Sequence, residues 1–317
     1  MKILVTGGAG FIGSNFVDYM ISKYPDYKII IFDALTYAGD LENLPTEFFS
    51  DTNKYEFIKG DIADQDSVDI LIPKDVDAII NFAAESHVDN SIANPGIFLN
   101  TNILGTYNLL EFARKNNTPK FVQISTDEVY GSIDQGLFTE ETQINPNSPY
   151  SATKASSDHL VRAYHETFKL NTNITRCSNN YGPRQHAEKL IPKTIQRALN
   201  NEAIPVYGNG SNVRDWLYVT DHCSAIDAVL HKGVPGEVYN IGGSNEVENI
   251  EVVNKILYLL DKSTNLIAYV EDRLGHDKRY AIDSTKIQMQ LGWNPSVKAF
   301  EDGLHQTILW YVRRASE

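Results

Sequence analysis

The stretch KILVTGGAGFIG at residues 2–13 decides the fold of this chain. It begins with a short apolar run, Ile3 to Val5, which is typical of a buried parallel strand. The run ends at glycines, and a helical pattern begins at about Phe11. A second apolar run ends at Asp33, which follows Gly13 by 20 residues. These features predict a strand, a glycine loop, a helix and a second strand that ends in an acid.

The glycines Gly7, Gly10 and Gly13 have a specific physical use in this arrangement. They let the backbone approach a pyrophosphate, and the following helix supplies N–H groups and the positive end of its dipole. Asp33 would accept hydrogen bonds from an adenosine ribose and would repel the 2′-phosphate of NADP. No arginine follows in residues 34–36 to neutralise that charge. The sequence therefore predicts NAD as the cofactor; the alternative is a glycine-rich turn without a ligand.

Further apolar runs continue the pattern of strands. They lie at residues 28–32, 55–59, 78–82, 121–124 and 174–177, and small or polar residues follow them. Helical patterns lie between several of the runs, at residues 102–116 and 149–169. This alternation predicts an α/β fold with a Rossmann-type doubly wound parallel sheet. The polar strand ends predict a ligand site along one edge of that sheet.

The pattern becomes less regular after Cys177. Turn-rich segments occur at residues 208–212 and 240–243, and helices are expected at residues 250–261 and 300–313. We therefore predict two domains. Residues 1–177 would form the NAD-binding Rossmann domain, with a returning segment near residues 213–240. Residues 178–317 would mainly form a smaller C-terminal α/β domain that binds the substrate.

The composition narrows the class of partner. Hydrophobic residues make up 42% and charged residues 22% of the 317 residues, and the formal net charge is −13. This charge argues against nucleic acid or an anionic membrane as the main partner. The N-terminal apolar run is too short for a signal peptide, and no stretch approaches the roughly 18 apolar residues of a membrane span. We therefore expect a cytoplasmic protein. We also expect no metal site, since Cys177 and Cys223 are not at metal-ligand spacing.

Tyr150 and Lys154 lie one turn apart on the same face of a helix that is predicted to start at Pro149. A tyrosine normally titrates near pH 10, and a nearby ammonium and a nicotinamide cation would both favour its phenolate. Tyr150 could then act as a base that takes a hydroxyl proton while a hydride leaves the same carbon for NAD. The alternative is an amphipathic helix with an incidental Tyr/Lys pair.

Two adjacent carboxyls, Asp127 and Glu128, follow the strand that ends at Ser125 and Thr126. A solvated acidic loop is the simplest interpretation. Buried carboxyls at this edge would be costly, and close acids push their pKa values apart. One carboxyl could then donate a proton while the other removes one, as a dehydration requires. A simple reversible oxidation would not need the pair.

Taken together, these residues resemble the extended short-chain dehydrogenase/reductase superfamily and, within it, the dTDP-glucose 4,6-dehydratases. The resemblance covers nearly the whole chain. The matching segments are residues 6–13, 83–89, 125–131, 150–154, 177–183, 214–216 and 272–277. The Asp-Glu pair at 127–128 is the specific feature, whereas the first and fourth segments indicate only the superfamily. One departure is Leu274, where the family usually has proline.

The resemblance implies a three-step reaction on bound dTDP-glucose. Tyr150, aided by Lys154 and Thr126, would oxidise the sugar at C4. Glu128 would remove the C5 proton while Asp127 protonates the departing C6 hydroxyl. The hydride would then return to C6 and give dTDP-4-keto-6-deoxyglucose, for deoxysugar biosynthesis of the rhamnose type. NAD would stay tightly bound, because each turnover regenerates it.

The resemblance also implies binding contacts. Cofactor contacts are expected from the glycine loop and from Phe11, Ile12, Asp33, Ala34, Leu35, Thr36, Asp61, Ile62, Ala83, Ala84, Thr101, Tyr150, Lys154 and Asn180. Substrate contacts are expected from His87, Thr126, Asn179, Lys189, Leu190, Pro205, Val206, Tyr207, Arg214, Asn249, Asp272, Arg273 and His276. Arg214 and Arg273 suit a diphosphate, because a guanidinium fork matches phosphate oxygens; each could instead form a surface ion pair.

Two other functions stay open at the level of the sequence. A nucleotide-sugar 4-epimerase of the same superfamily would share the cofactor and the Tyr/Lys pair, but its reaction loses no water. A non-enzymatic NAD-binding regulator on the same fold would be expected to lack Tyr150 or Lys154. The resemblance also implies a homodimer that is formed through the helices at residues 102–116 and 150–169.

Overall fold

A computed structural model describes residues 1–315 of the chain. Within these residues the strands belong to three sheets. The strands are β1 (Lys2–Thr6), β2 (Lys28–Asp33), β3 (Tyr55–Lys59), β4 (Ala78–Asn81), β5 (Lys120–Thr126), β6 (Thr172–Cys177), β7 (Asn179–Tyr181), β8 (Ile204–Tyr207), β9 (Val213–Tyr218), β10 (Val238–Ile241), β11 (Glu246–Glu248) and β12 (Ile267–Val270).

Helices alternate with these strands along the chain. They are α1 (Phe11–Lys23), α2 (Thr46–Ser50), α3 (Gln65–Leu71), α4 (Val88–Ala93), α5 (Pro95–Phe98), α6 (Thr106–Lys115), α7 (Pro149–Phe168), α8 (Leu190–Leu199), α9 (Val219–Lys232), α10 (Asn249–Leu259), α11 (Thr285–Leu291) and α12 (Phe300–Arg314). Short 3-10 helices cover Leu41–Asn43, Asp127–Tyr130 and Thr264–Leu266. None of the helices within residues 1–315 is long and apolar enough to cross a membrane.

The central sheet has seven strands in the order β10-β6-β5-β4-β1-β2-β3. All of its pairings are parallel, and Val5 on β1 lies opposite Ile31 on β2 and Ile80 on β4. Side chains alternate between the two faces of a strand. Ile3 and Val5 accordingly pack in one hydrophobic core with α1 and α9, and Leu4 packs in another with α6 and α7. The predicted doubly wound parallel sheet is confirmed.

The remaining strands form two small sheets. β11, β9 and β7 form a three-stranded sheet, and β12 pairs with β8. Helices α8, α10 and α12 pack against these sheets through two apolar clusters. The domain boundary at residue 177 and the returning segment near residues 213–240 stay predictions. The chain does return to the central sheet at β10, whereas β9 belongs to the three-stranded sheet.

The sequence predicts a turn-rich loop at residues 240–243, but Asn240 and Ile241 belong to β10. Their backbone pairs in parallel with Arg176 and Cys177 on β6. The side chain of Asn240 is buried and accepts a hydrogen bond from the hydroxyl of Tyr130 at 2.8 Å. A polar residue is stable inside a sheet when such a partner is supplied, so the loop prediction is wrong for these two residues.

The helix predicted at residues 102–116 has different bounds and a different start in the structure. A π-helical segment covers Leu99–Gly105, and α6 follows it. The amide side chain of Asn102 bonds the backbone N–H and C=O of Glu85 at 2.9 and 3.0 Å and the hydroxyl of Thr153 at 2.9 Å. Widened turns of this kind are often found at functional sites. Asn102 thus ties the loop after β4 to the helix that carries Tyr150.

Candidate active site

Backbone atoms pack closely against the glycines of the loop between β1 and α1. Gly7 has a φ of +67°, and a Cβ atom there would lie 2.6 Å from the backbone nitrogen of Ala83. A Cβ atom on Gly13 would overlap the carbonyl oxygen of Gly7. Helix α1 begins at Phe11 without a side-chain cap, so its first amides are free to bind an anion. This cradle fits the pyrophosphate of NAD.

Asp33 lies at the end of β2, where the loop and the next strand meet. Its carboxylate accepts hydrogen bonds from the amide of Ala9 at 2.9 Å and the amide of Leu35 at 2.8 Å. Burial raises the pKa of Asp33, and these two hydrogen bonds oppose the rise. The carboxylate is therefore held in one orientation beside the cleft, as a ribose-binding acid requires.

A cleft with about 1310 Å³ of empty volume runs along the C-terminal ends of the central strands. It brings together most of the predicted cofactor residues: Gly7, Gly10, Phe11, Ile12, Gly13, Asp33, Ala34, Thr36, Asp61, Ile62, Ala83, Ala84, Thr101, Tyr150 and Lys154. The predicted substrate residues Thr126 and Lys189 line the same cleft. The cleft lies at the edge of the sheet where the sequence predicts a ligand site.

Two predicted cofactor residues lie outside the lining of the cleft. Leu35 contributes its amide to Asp33 and has a φ of +51°. The side-chain oxygen of Asn180 lies 2.9 Å from Nδ1 of His222, a buried histidine whose pKa burial lowers to about 3. Because His222 is then neutral, this contact is an ordinary hydrogen bond that orients Asn180.

Sequence reasoning missed several lining residues. They are Phe32, Ala38, Gly39, Gly60, Phe82, Glu85, Ser86, Ile124, Ser125, Cys177, Gln185, His186 and Glu188. Phe32, Gly60 and Phe82 neighbour the ends of predicted strands, and that position could have revealed them. The loop at residues 185–188 carries no such local signal, because only the fold brings it over the cleft.

Tyr150 lies in the first turn of α7, which is fixed by a capping box between Ser148 and Ser151. Lys154 is 4% exposed, and its ammonium donates to the carbonyl of Ile124 at 2.7 Å. Burial raises the pKa of Tyr150 well above its usual value near 10, and a hydrogen bond with Thr126 opposes the rise. Burial also lowers the pKa of Lys154. The pKa of Tyr150 is thus raised in the chain without a cofactor, whereas the predicted base role depends on Lys154 and a nicotinamide cation together lowering it.

The carboxyl pair lies on the 3-10 helix that follows β5. Thr126 caps this helix by accepting a hydrogen bond from the amide of Glu128 at 3.2 Å. Asp127 is 1% exposed, and its Oδ2 atom finds no hydrogen-bond partner within residues 1–315. Burial raises the pKa of Asp127 well above its usual value, and the negative charges of Glu128 and Asp215 raise it further. Burial and the neighbouring negative charges therefore favour the protonated form of Asp127.

Glu128 has a different electrostatic environment. Burial raises its pKa, but the positive charges of Arg273, Lys189 and Arg214 lower it. We call these three residues the cation cluster. The two adjacent carboxyls thus differ in the charges around them, and this difference favours Asp127 as the proton donor and Glu128 as the acceptor.

The cation cluster is assembled from three separate segments. Arg214 on β9 lies 4.3 Å over the ring of Tyr280, and its Nη2 donates to the carbonyl of Asp277 at 2.9 Å. Lys189 donates to the carbonyl of Ser86 at 3.1 Å. Nη1 of Arg273 lies 3.9 Å from a carboxylate oxygen of Asp89, and its Nε is buried without a partner in residues 1–315. Arg273 thus retains a donor for an anion.

The other predicted substrate residues surround this cluster less closely. The hydroxyl of Tyr207 donates to Asp89 at 3.1 Å, and its ring meets the edge of His276 at 6.2 Å between centroids. His276 lies 2.6 Å from the carboxylate of Asp272. Pro205 and Val206 precede Tyr207 on β8. The side chain of Val206 packs in a hydrophobic core, so only its backbone can face a ligand.

The last four predicted substrate residues lie at the starts of helices or strands, outside the lining of the cleft. His87 caps α4, Asn179 begins β7 and Leu190 begins α8. Asn249 begins α10, and its buried side-chain oxygen has no partner among the described residues. Residues 1–315 contain no cluster of side chains that could hold a metal ion. Both cysteines are free and buried.

The fold and the site define a class of protein. A Rossmann-type sheet, a glycine loop, an acid after β2 and a Tyr-x-x-x-Lys helix together are features of NAD-dependent short-chain dehydrogenases/reductases of the extended type. Residues 4–307 match the family described as GDP-mannose 4,6 dehydratase, and the chain belongs to that family.

Comparisons with individual proteins narrow the resemblance. The chain is 54% identical to a low-salt glycan biosynthesis protein of Haloferax volcanii, over 98% of this chain and 99% of that one. The dTDP-glucose 4,6-dehydratase of Bacillus anthracis, solved in complex with NAD, is 53% identical with a TM-score of 0.91, covering 100% of this chain and 98% of that one. The enzyme of that name from Streptomyces venezuelae, solved with NAD bound, is 47% identical with a TM-score of 0.96, at the same coverage.

An epimerase is a more distant relative. UDP-glucose 4-epimerase of Thermotoga maritima is 30% identical with a TM-score of 0.91, and the match covers 100% of both chains. The fold is therefore shared by dehydratases and epimerases, and the identity favours the dehydratases.

Proposed function

We propose that the chain is an NAD-dependent dehydratase that converts dTDP-glucose to dTDP-4-keto-6-deoxyglucose. One observation carries this proposal: Asp127 and Glu128 lie together at the sheet edge near Tyr150, and their electrostatic surroundings differ. Neighbouring carboxylates add to the rise in the pKa of Asp127, whereas the cation cluster opposes the rise in the pKa of Glu128. The family description names GDP-mannose, but relatives about half identical over nearly the whole chain are dTDP-glucose 4,6-dehydratases. The sequence prediction agrees with these relatives.

The cofactor supplies the redox chemistry: bound NAD would take a hydride from C4 of the sugar and return it to C6. Tyr150, oriented by its hydrogen bond with Thr126, takes the proton of the C4 hydroxyl. A cation beside its hydroxyl must lower the pKa of Tyr150 for this step, since burial raises it. The NAD-bound relatives confirm the predicted cofactor, and we infer that NAD stays bound between turnovers.

Water is then removed by the carboxyl pair. The C4 ketone acidifies the proton on C5, and Glu128 accepts that proton. Asp127, which burial keeps protonated, donates its proton to the C6 hydroxyl, which leaves as water. The unpartnered Oδ2 of Asp127 is free to make this contact. One proton enters and one leaves the pair, so the elimination balances.

Binding of an anionic nucleotide needs local positive charge in this acidic chain. The cation cluster supplies it, and guanidinium groups match the oxygens of a diphosphate. Arg273 retains an unpartnered buried donor for this purpose, and Lys189 faces the same cleft as Thr126. The predicted substrate residues, including His87, Asn179, Asn249 and His276, are proposed to complete this face.

A homodimer, a cytoplasmic location and a role in deoxysugar biosynthesis of the rhamnose type are further proposals, which rest on the family resemblance. Exposed apolar side chains support the homodimer. Leu104 and Tyr107 are 43% and 38% exposed in the segment predicted as an interface helix, and Phe168 on α7 is 49% exposed. Apolar groups of this size are commonly covered when two copies associate.

The first experiment is product analysis without added NAD. Purified protein is incubated with dTDP-glucose in deuterated water, and the mass of the product is measured by mass spectrometry. We expect the loss of one water and the gain of solvent deuterium, because C5 loses its proton and regains one from solvent. The Tyr150→Phe variant should leave dTDP-glucose unchanged. An unchanged mass for the parent protein, even with NAD added, would contradict the proposal, and a mass-neutral sugar isomer would indicate the epimerase.

A further inference from the structure

A buried network joins β6 to the two segments that carry the proposed catalytic residues. Its centre is Arg176, whose side chain is 6% exposed. Nε of Arg176 donates to the carboxylate of Asp158 at 2.9 Å, and Nη1 donates to the hydroxyl of Tyr130 at 2.9 Å. One rigid guanidinium therefore holds two partners with separate N–H groups.

Tyr130 connects this network to the carboxyl pair. It is the last residue of the 3-10 helix that begins with Asp127 and Glu128. Its hydroxyl accepts from Arg176 and donates to the side chain of Asn240 at 2.8 Å, while the guanidinium lies 4.9 Å from its ring centroid. Thr126 caps the other end of this turn. The turn is thus held at its start by β5 and at its end by Arg176.

Asp158 connects the network to the helix that carries Tyr150 and Lys154. It lies on α7, one turn after Lys154, and its side chain is 1% exposed. Arg176 is the partner of its buried charge, and a buried charge without a partner is strongly destabilising. The ion pair therefore holds α7 against β6 at a fixed height.

We propose that Arg176 is a positioning residue, which fixes the turn of Asp127 and Glu128 against the helix of Tyr150 and Lys154. This inference rests on the proposed function. The two halves of the reaction act on neighbouring carbons of one sugar, so their separation must be held closely. Misplacement of a catalytic group by about 1 Å can cost on the order of 100-fold in rate.

The network should matter more for water loss than for oxidation. Lys154 holds α7 to β5 independently, through its hydrogen bond to Ile124 at 2.7 Å. Tyr150 therefore keeps its place when Arg176 is changed. The end of the turn at Tyr130 loses its anchor, and the carboxyls on that turn shift relative to C5 and C6.

Single-turnover kinetics separate the two steps. The parent protein, Arg176→Lys and Tyr130→Phe are mixed with dTDP-glucose, and NADH absorbance is followed as it appears and disappears. We expect NADH to appear at close to the parent rate in both variants and to disappear at least about tenfold more slowly, because water loss precedes its consumption. Arg176→Lys keeps the charge but loses the fork, and Tyr130→Phe leaves the Arg176–Asp158 pair intact.

The matched control is Tyr164→Phe, which removes a tyrosine hydroxyl on α7 that donates to Glu111 at 2.7 Å, outside the site. It should change neither phase. A merely structural role for Arg176 would lower thermal stability and slow both phases alike, and equal slowing in Tyr130→Phe would overturn the proposal. Unchanged phases in both variants would overturn it as well, with the proposed function intact. A parent protein that neither forms NADH nor loses water would contradict the proposed function itself.

Discussion

The glycine loop and the cation cluster hold the two ends of the site by different physical means. The loop at residues 7–13 is contiguous in sequence and shapes its cradle with backbone, so added side-chain atoms collide with it. The cation cluster takes Lys189, Arg214 and Arg273 from three segments and acts through charge on Glu128. A steric site fails abruptly when it is altered, whereas an electrostatic site is expected to respond in a graded way.

The largest expected effect is on catalysis, with the binding of NAD by the glycine loop and of substrate by the cation cluster left intact. We expect the double variant Asp127→Asn plus Glu128→Gln to lose water at least about 1000-fold more slowly, because it lacks both the proton donor and the acceptor. NAD content, measured by releasing and quantifying the cofactor, should stay at the parent level. The matched control is Asp134→Asn plus Glu141→Gln, which alters two exposed acids in the following loop. A double variant that dehydrates at the parent rate would refute the acid/base assignment.

The glycine loop should fail abruptly. We expect Gly13→Ala to weaken NAD binding by about 100-fold or more, because the new Cβ overlaps the carbonyl of Gly7 and moves the cradle. The measurement is the molar ratio of NAD to purified protein. Gly96→Ala is the matched control, since the nearest atom to its Cβ lies at 3.8 Å. Full NAD content in Gly13→Ala would show that the loop does not hold the cofactor.

The cation cluster should respond by degrees. We expect Arg273→Gln to raise the KM for dTDP-glucose by about tenfold, because one charged hydrogen bond to a phosphate is lost. NAD content should be unchanged. Arg279→Gln is the control. Arg279 pairs with Glu246 at the surface, and its substitution removes the same positive charge from a neighbouring position. Equal KM changes in both variants would mean that only the overall charge matters.

The pH dependence of the same variant sharpens this comparison. Glu128 must be ionised to act as a base, so the rate of water loss falls as pH decreases through its pKa. Arg273 lowers that pKa, and its removal should raise it. The acidic limb of the profile should therefore move to higher pH by about one unit in Arg273→Gln. An acidic limb at the same pH in Arg273→Gln and the parent protein would show that Arg273 does not lower the pKa of Glu128.

The smallest expected effect concerns a contact across the cofactor cleft. The hydroxyl of Tyr37 is hydrogen-bonded to Ser86 and Glu188, and the Tyr37 ring meets the edge of His186 at 5.5 Å. We expect Tyr37→Phe to release NAD about threefold faster, because the hydrogen bonds of this hydroxyl with Ser86 and Glu188 are lost. Tyr258→Phe is the control, at a position that is 85% exposed. Faster release from both variants would assign the effect to something other than this contact.

Much of the fold was predictable because it is periodic. The apolar runs at residues 28–32 and 55–59 became β2 and β3, and the helix predicted from Pro149 became α7. The short strands of the C-terminal part and helix α9 were not predicted. Their sequences are brief or mixed in character, and tertiary packing decides such cases. The sequence predicts a loop at Asn240 because a polar side chain is uncommon in a buried strand, but Asn240 lies in β10 and is buried.

The candidate site divides in the same way. Gly7, Asp33 and Tyr150 lie in short motifs at strand or helix ends, so their position in the cleft could be predicted. Asp127 lies in a motif of the same kind, directly after the lining residue Thr126. Glu188 and Tyr37 could not be predicted, because their contacts join segments far apart in the sequence. Arg176 gave no local signal either, since its role depends on Asp158 and Tyr130 on other elements.

The sequence by itself determined the doubly wound sheet, the glycine loop, the preference for NAD and the identity of the carboxyl and Tyr/Lys pairs. These features depend on residue spacing within single elements. Only the tertiary structure decided that burial raises the pKa values of Asp127 and Tyr150, and that three cations from remote segments oppose the rise in the pKa of Glu128. Burial and neighbouring charge set these properties, and both depend on atoms that the folded chain brings from distant segments.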